Sequence, residues 1–242
     1  MLVDLGEVPR CRVGGINLFL PSPASLIQWR SMSQPNIRAV IFDLGGVVLD
    51  WNPRYVYRHY FDTPERIEQF LEEIDFPSWN VQQDMGRPFA EGVAILSAQY
   101  PQYASLIRAY HEHWELSVAG PIHGTVEIAG ALKSAGYPLY ALSNWSAETF
   151  PLARDRYDCL QLFDGTIISG EVGLAKPDPR IFELLLQRVH LLAQECLLID
   201  DAAQNIAAAE RLGFRTIRFQ SPDQLREQLQ EMNMLNSGGR HG

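Results

Sequence analysis

The fold of this chain is decided by one stretch, Arg38-Ala39-Val40-Ile41-Phe42-Asp43-Leu44-Gly45-Gly46-Val47-Val48. Residues 39–42 are apolar throughout and are bounded by charge and glycine, which predicts a short buried strand. Asp43 then lies at the carboxyl end of that strand, where open α/β sheets bind ligands. The pair Gly45-Gly46 lets backbone approach whatever Asp43 faces. Because a strand-end aspartate can also cap a plain turn, the rest of the chain has to decide between the two interpretations.

The bulk composition indicates a soluble protein with a packed core. The chain has 242 residues, enough for one large domain or two small ones, and 46% of them are hydrophobic against 20% charged. The net charge of -9 argues against a nucleic-acid partner. No apolar run reaches transmembrane length, so no membrane partner is expected. The oligomeric state is not predictable from the sequence.

The cysteine pattern bears on the cellular compartment. Cys11, Cys159 and Cys196 are widely spaced and form no CxxC motif. A sparse, odd number of cysteines indicates a reducing compartment rather than a disulfide framework. We therefore expect the protein to be cytoplasmic.

Residues 1–36 differ from the rest of the chain. They contain four prolines (Pro9, Pro21, Pro23 and Pro35) and show no clear strand or helix periodicity. This pattern predicts a disordered N-terminal extension. An alternative is that translation starts at Met32, just before the ordered pattern begins.

From residue 37 onward the pattern predicts an α/β fold, a Rossmann-like parallel sheet core with a small α-helical cap domain. Amphipathic helical runs and no convincing strand fill residues 52–120. Strands are predicted at 39–42, 137–142, 196–199 and 214–219, helices at 125–135, 147–156, 179–189 and 205–212, and a hairpin at 164–171. The core then comprises residues 37–51 and 122–232, and the cap comprises residues 52–121.

Polar side chains follow three of the predicted strands. They are Asp43, Ser143-Asn144 and Asp200-Asp201, and Lys176 lies just before a predicted helix. Because parallel strands share a direction, these groups are expected at one edge of the sheet. Adjacent carboxylates repel each other and call for a cation, and oxygen ligands suit Mg²⁺. A lysine with hydroxyl and amide donors suits a phosphoryl group, which a carboxylate can attack as a nucleophile.

The ordered set of motifs resembles the haloacid dehalogenase-like hydrolase superfamily. The motifs are Asp43-Leu44-Gly45-Gly46-Val47, Leu142-Ser143-Asn144, Lys176-Pro177-Asp178, and Leu198-Ile199-Asp200-Asp201 followed by Asn205. Each is weak alone, but all four occur in order over roughly residues 38–220. The Asp-Leu-Gly-Gly form is most similar to the branch with glucose-1-phosphate phosphatase and the phosphatase domain of soluble epoxide hydrolase.

The resemblance implies an Mg²⁺-dependent phosphatase that acts on a small phosphorylated metabolite, with sugar phosphates among the candidates. Asp43 would be the nucleophile, passing through an aspartyl-phosphate. The family roles are metal binding by Asp43, the carbonyl of Gly45, Asp200 (directly or through water) and Asp201; phosphoryl binding by Ser143, Asn144 and Gly46; and charge neutralisation by Lys176.

One position departs from the family pattern. Most phosphatases of this superfamily carry a second aspartate two residues after the nucleophile, as general acid/base, and Gly45 stands there. A general acid/base typically contributes about 10²–10⁴-fold to the rate. The departure leaves two alternatives open, a 2-haloacid dehalogenase with Asp43 as nucleophile and a weakly catalytic phosphate-binding regulatory protein. Against the dehalogenase, Asp200-Asp201 would repel a carboxylate substrate.

Several residues near the motifs have open roles. Asp50 is a candidate substitute base. The run Gln83-Asp84-Met85-Gly86 forms either a cap loop over the site or a plain turn. Trp145 is expected at the mouth of the pocket. The glycine pair also predicts that a side chain at position 45 would crowd the metal site.

Overall fold

The computed structural model describes residues 36–235 and two short strands that precede them, Cys11–Val13 (β1) and Ile16–Leu18 (β2). These two strands pair antiparallel. The expectation that no strand occurs in residues 1–36 is therefore wrong at this hairpin. The rest of that segment, including the alternative start at Met32, lies outside the described residues.

A compact unit begins at Ile37 and is built on one parallel sheet. Its described strands are Ala39–Phe42 (β3), Leu49–Trp51 (β4), Val118–Pro121 (β5), Leu139–Ser143 (β6), Gly165–Ile168 (β7), Cys196–Asp200 (β8) and Arg215–Arg218 (β9). Five of them form the sheet in the order β7-β6-β3-β8-β9, and every neighbouring pair is parallel. All residues of β3 and β8 are buried, which explains their apolar sequences.

Helices cover both faces of this sheet. Those described are Arg54–Tyr57 (α1), Pro64–Glu73 (α2), Phe76–Asp84 (α3), Phe89–Gln99 (α4), Ala104–Glu112 (α5), His123–Ser134 (α6), Phe150–Arg156 (α7), Ser169–Val172 (α8), Pro179–Val189 (α9), Ala203–Arg211 (α10) and Pro222–Glu231 (α11). Asp178 begins α9 by accepting a hydrogen bond from the Arg180 amide, and proline occupies the first helical position. No helix in the described part of the chain is long and apolar enough to cross a membrane.

Helices α1 to α5 lie between β4 and β5, and we call residues 52–117 the helical segment. Its interior is aromatic, with Tyr57 against Phe70 at 4.9 Å and Phe76 against Tyr110 at 4.9 Å between ring centroids. Strands β4 and β5 pair antiparallel, so the chain enters and leaves the helical segment through neighbouring strands. The prediction that residues 52–120 hold no strand is wrong at β5, a short strand with an irregular register.

The expected hairpin at residues 164–171 is also wrong. Instead, β7 joins the sheet edge in parallel with β6, and α8 follows directly. Asp164 supports this arrangement, because its Oδ2 accepts a hydrogen bond from the Leu139 amide at 2.9 Å. Gly170 lies in α8 where a Cβ atom would stand 2.5 Å from the Ala147 nitrogen, so close backbone packing requires glycine there.

Candidate active site

The carboxyl ends of three neighbouring strands bring the predicted site residues together. Asp43 follows β3, Ser143 ends β6 and Asp200 ends β8, as the parallel order requires. A cavity of about 310 Å³ opens at this edge. Six of the predicted residues line it: Asp43, Gly45, Gly46, Ser143, Asn144 and Asp201. Lys176 and Asp200 lie buried directly behind Asp43.

Asp43 is held in one orientation by three donors. Its Oδ1 accepts hydrogen bonds from the Leu44 amide at 2.7 Å and from the Ser143 hydroxyl at 2.8 Å. Its Oδ2 lies 2.9 Å from Lys176 Nζ. Burial raises the pKa of Asp43 to about 7, and Asp200 adds to the rise while Lys176 opposes it. The hydrogen bonds thus fix the orientation of the carboxylate, but the charge of Lys176 does not fully offset its burial and the charge of Asp200.

Lys176 is shared by two carboxylates. Its Nζ donates to Asp200 Oδ2 at 2.6 Å as well as contacting Asp43, and its side chain is fully buried. Burial alone would lower the pKa of this ammonium, but Asp43 and Asp200 outweigh burial, and the pKa lies above its ordinary value. Lys176 therefore stays charged at the centre of the site.

The amide of Asn144 holds the lysine loop rather than facing the cavity alone. Its Nδ2 donates to the Lys176 carbonyl at 2.9 Å, and its Oδ1 accepts from the Lys176 amide at 2.8 Å. Both polar atoms of this side chain are thus engaged. Asn144 lines the cavity and also positions the backbone of Lys176, and its binding of phosphoryl oxygens stays a prediction.

Asp200 is saturated with donors. Its Oδ1 accepts from the Ala202 amide at 2.9 Å, its Oδ2 accepts from Lys176, and Asn205 Nδ2 lies 3.1 Å from both oxygens. Asp201 differs, because it lines the cavity. Burial and the charge of Asp200 raise the pKa of Asp201.

The donor chemistry fits a divalent cation. Asp43, Asp200 and Asp201 each offer a carboxylate oxygen, and these oxygens lie within 4.8 Å of one another. One ammonium pairs with two of these carboxylates, Asp43 and Asp200, which leaves an excess of negative charge in a partly buried pocket. Oxygen-only ligands with that excess suit Mg²⁺.

The two glycines differ in what they tolerate. Gly46 has φ +78°, and a Cβ atom there would stand 2.8 Å from Asp201 Oδ2. Its amide donates to the Leu49 carbonyl at 2.8 Å. At Gly45 a Cβ atom would meet only Trp51 Cβ, at 3.7 Å. The close approach expected at position 45 therefore occurs at Gly46 instead, and position 45 accommodates a Cβ atom at ordinary contact distance.

The remaining cavity wall is rich in aromatic side chains. They are Trp51, Phe89, Tyr110, Trp114 and Trp145. Trp145 is buried, and its indole Nε1 donates to Thr149 Oγ1 at 3.1 Å. A second cavity of about 310 Å³ shares Trp51, Asn80 and Asp84 with the first and is otherwise lined mainly by apolar side chains. An apolar cavity thus adjoins the site through these three residues.

Asp84, at the end of α3, also lines the cavity. Its Oδ2 accepts from Asn80 Nδ2 at 2.9 Å, and its carbonyl accepts a hydrogen bond from the Ser169 hydroxyl. Burial and then the charge of Asp43 raise the pKa of Asp84 to about 7. Of the two interpretations of this run, a loop over the site agrees with the position of Asp84. Asp50 instead accepts the Tyr55 hydroxyl at 3.0 Å and does not line the cavity.

Some site residues carry no signal in the sequence. They are Asn80, Phe89, Tyr110, Thr149 and Ser169. Most lie in helical patterns that predict an amphipathic helix without revealing which side chain reaches the sheet edge. These residues can be identified as part of the site only from the way the helices pack on the core.

A family comparison agrees with this geometry. The model of the haloacid dehalogenase-like hydrolases matches residues 37–213. The chain belongs to this family. The match covers four of the five strands of the sheet, the helical segment and all of the predicted site residues, so the chain is a haloacid dehalogenase-like hydrolase.

Curated relatives in this family include different activities. A sesquiterpene phosphatase of Aspergillus oryzae is 26% identical over 185 residues, which cover 73% of this chain and 86% of that protein. An (S)-2-haloacid dehalogenase of a Pseudomonas species is 29% identical over 200 residues, covering 76% and 84%. Acyl-CoA dehydrogenase family member 10 of Mus musculus is 26% identical over 223 residues, or 85% of this chain, but the chain spans only 20% of that protein.

Solved structures agree on the fold. A family enzyme from Bacteroides thetaiotaomicron, in complex with magnesium and inorganic phosphate, superposes with a TM-score of 0.59 at 22% identity. The alignment covers 77% of this chain and 96% of that one. The likeness places this haloacid dehalogenase-like hydrolase in the Rossmann-like α/β fold class.

Proposed function

We propose that the chain is an Mg²⁺-dependent phosphatase that forms an aspartyl-phosphate on Asp43. The observation that carries the proposal is the fixed carboxylate of Asp43, which lines the cavity beside Asp201 and contacts the buried ammonium of Lys176. A nucleophile, a positive charge and an oxygen-rich cation site are the elements that phosphoryl transfer requires.

Mg²⁺ would be held by Asp43, Asp201 and the carbonyl of Gly45. The bound cation would offset the negative charge of these groups and of a phosphoryl oxygen. Asp200 already accepts hydrogen bonds on both oxygens, so in this proposal it acts chiefly by holding Lys176 in place.

The chain's own residues would divide the reaction as follows. The free lone pair of Asp43 attacks phosphorus, while Ser143 and Leu44 keep the carboxylate oriented. Lys176 remains protonated and reduces the repulsion between Asp43 and the phosphoryl group. Water then hydrolyses the acyl-phosphate bond and regenerates Asp43.

The cavity wall favours a small substrate with an apolar or flat group next to its phosphate. Aromatic side chains dominate the wall, and the indole of Trp145 is already paired with Thr149. A sugar would find few free polar partners in such a wall. The sesquiterpene phosphatase among the relatives supports the same substrate class. Sugar phosphates, the candidates from the motif branch, belong in the same screen.

We propose that residues 52–121 act as a cap on a core made of residues 37–51 and 122–232. Support comes from α3 to α5 and the segment after them, which supply Asn80, Asp84, Phe89, Tyr110 and Trp114 to the cavity. Specificity would then reside in the helical segment and chemistry in the core.

We also propose a cytoplasmic location. Cys159 and Cys196 both carry free thiols, and burial raises the pKa of Cys196 to about 12. Protonated, unpaired thiols are typical of a reducing compartment.

The dehalogenase is the second candidate, because a relative of that activity covers as much of the chain as the phosphatase does. A haloacid would also use Asp43 as nucleophile. Asp201 weighs against it, since this carboxylate lines the cavity and would repel a carboxylate substrate.

The test is hydrolysis of 4-nitrophenyl phosphate and of 2-chloropropionate by the purified protein, each with Mg²⁺ and with EDTA. We expect turnover of the phosphate ester that needs Mg²⁺ and is lost in EDTA. Metal-independent release of chloride, with no phosphatase activity, would establish the dehalogenase. Phosphate binding with no turnover of either substrate would establish the regulatory protein. A panel of apolar and sugar phosphates then defines the substrate class.

A further inference from the structure

The cavity contains one carboxylate that the proposed chemistry does not use. Of the described residues that line it, Asp43, Asp84 and Asp201 carry carboxylates. Asp43 is assigned as nucleophile and Asp201 as metal ligand. Asp84 is the one of the three without an assigned role. It belongs to the helical segment, whereas Asp43 follows strand β3 of the core sheet.

Asp84 is fixed to the segment that directly follows Ser143 at the end of β6. The Ser169 hydroxyl donates to the Asp84 carbonyl, and the Trp145 amide donates to the same hydroxyl oxygen at 2.9 Å. The Asp84 side chain accepts the Ser146 amide and, at 2.9 Å, Asn80 Nδ2. A residue of the helical segment is thus tied by both its backbone and its side chain to residues 145–146, just after Ser143.

We propose that Asp84 is the general acid/base of the reaction, supplied by the helical segment in place of the carboxylate that is missing at Gly45. The proposal rests on the proposed phosphatase function. Position 45 carries no carboxylate, and Asp84 lines the same cavity as Gly45 and Asp43.

The proton balance of the two steps is complete. In the first step an Asp43 oxygen forms a bond to phosphorus, the bond to the leaving oxygen breaks, and the Asp84 carboxyl gives its proton to that oxygen. In the second step the Asp84 carboxylate takes a proton from the attacking water, the acyl-phosphate bond breaks, and inorganic phosphate and the Asp43 carboxylate are released.

Other groups are less suited to this role. Both oxygens of Asp50 accept the Tyr55 hydroxyl, and Asp50 lies outside the cavity lining. Tyr110 lines the cavity, but burial and the charge of Asp84 raise the pKa of its phenol above the usual value. Tyr110 therefore keeps its proton through both steps instead of exchanging it.

The experiment compares leaving groups. Wild type and Asp84→Asn are assayed with phenyl phosphate, whose leaving group needs protonation, and with 4-nitrophenyl phosphate, whose leaving group needs little. We expect Asp84→Asn to lower kcat/KM for phenyl phosphate by about 10²–10⁴-fold, with a much smaller loss for 4-nitrophenyl phosphate. A burst of 4-nitrophenolate should then appear, because hydrolysis of the phosphorylated Asp43 also lacks its base.

Three further variants make the test sharp. Asp62→Asn removes an exposed carboxylate of the helical segment and should leave kcat/KM unchanged for both substrates. Asp84→Glu keeps the acid and should show a smaller loss with the same leaving-group dependence, which keeps the test valid if Asp84→Asn melts early. Gly45→Asp, introduced into Asp84→Asn, should recover part of the rate on phenyl phosphate, because it restores a carboxylate two residues after Asp43 at a position that accommodates a Cβ atom.

The outcomes separate the two proposals. Equal losses on both substrates, or no loss, in an active enzyme would overturn the role of Asp84 while leaving the phosphatase intact. A wild-type protein that hydrolyses no phosphate ester in Mg²⁺ would overturn the proposed function and the role of Asp84 with it.

Discussion

Lys176 and Asp200 form an ion pair from which water is excluded, with Nζ 2.6 Å from Oδ2 and both side chains fully buried. The pair ties the loop before α9 to the end of strand β8, next to the central strand β3. Because Asp43 lies 2.9 Å from the same ammonium, the stability of the core and the charge balance of the site depend on one side chain.

Lys176→Met should therefore remove activity and destabilise the protein together. Two carboxylates would be left in the interior without their counter-charge, which typically costs about 3–5 kcal/mol. Chemical denaturation measures the loss. Lys133→Met is the matched control, because its ion pair with Asp164 is solvent-exposed and should be worth less than about 1 kcal/mol. Equal losses in the two variants would contradict this account.

Asp43→Asn should abolish turnover and leave the fold intact. Asparagine keeps the shape and the acceptor for Leu44 and Ser143 but cannot form an acyl-phosphate. It also removes one of the two carboxylates that share the Lys176 ammonium, so the melting temperature should not fall far. Activity and thermal melting are measured on the same preparation, and retained phosphatase activity would show that another residue is the nucleophile.

Mg²⁺ should raise the melting temperature of the wild type even without substrate. A ligand that binds only the folded state at 100 times its Kd adds about 2.7 kcal/mol of stability. Asp201→Asn should lose most of this shift, and EDTA should reverse it. Asp155→Asn, at an exposed position, serves as the control and should keep the full shift. An undiminished shift in Asp201→Asn would place the cation elsewhere.

The glycine pair offers a matched comparison. Gly46→Ala should destabilise the protein by about 1–2 kcal/mol and weaken Mg²⁺ binding, because φ is +78° and the new Cβ would press on Asp201 Oδ2 at 2.8 Å. Gly45→Ala should leave the free energy of unfolding nearly unchanged, since its nearest neighbour would be Trp51 Cβ at 3.7 Å. Unfolding titrations and Mg²⁺ calorimetry on both variants decide the point, and the reverse order would refute it.

Asp164 should make a pH-dependent contribution to stability. The Leu139 amide, followed by Lys133, lowers its pKa from the ordinary 3.8, so folding favours the ionised form. The advantage of wild type over Asp164→Asn should be present above about pH 4 and disappear as the pH falls through the lower native pKa. It should stay below about 1 kcal/mol at this partly exposed site. Unfolding titrations at pH 7 and pH 2.5 test this, and a difference that grows in acid would have the wrong sign.

The strand ends and their motifs were predictable, because each is an apolar run that stops at a polar residue. Asp43, Ser143 and Asp200 therefore met where parallel topology requires. Strand β7 was not predictable as a parallel edge, since its place depends on pairing with β6 far away in the sequence. A short stretch with glycine at both ends also fits a hairpin.

The wall of the cavity was the least predictable part. Asp84 ends a helix, and nothing within its own run indicates that Ser169 will bind its carbonyl. The prediction that a side chain at position 45 would crowd the site is wrong for a Cβ atom, because Gly46 is the glycine that approaches Asp201. A glycine pair alone does not reveal which of its two members makes the close contact. Both contacts join residues that are far apart in the sequence, so a local sequence pattern cannot reveal them.

The antiparallel pairing of β4 with β5 has a consequence for engineering. Because Asp50 stands opposite Gly120, the two ends of the intervening helices are already adjacent, as the ends of an inserted cassette must be. A foreign helical bundle with similarly spaced termini can be grafted at these two strands without breaking the five-stranded sheet. The hydrolase could in this way be redirected to new substrates by transplantation, with its catalytic edge left untouched.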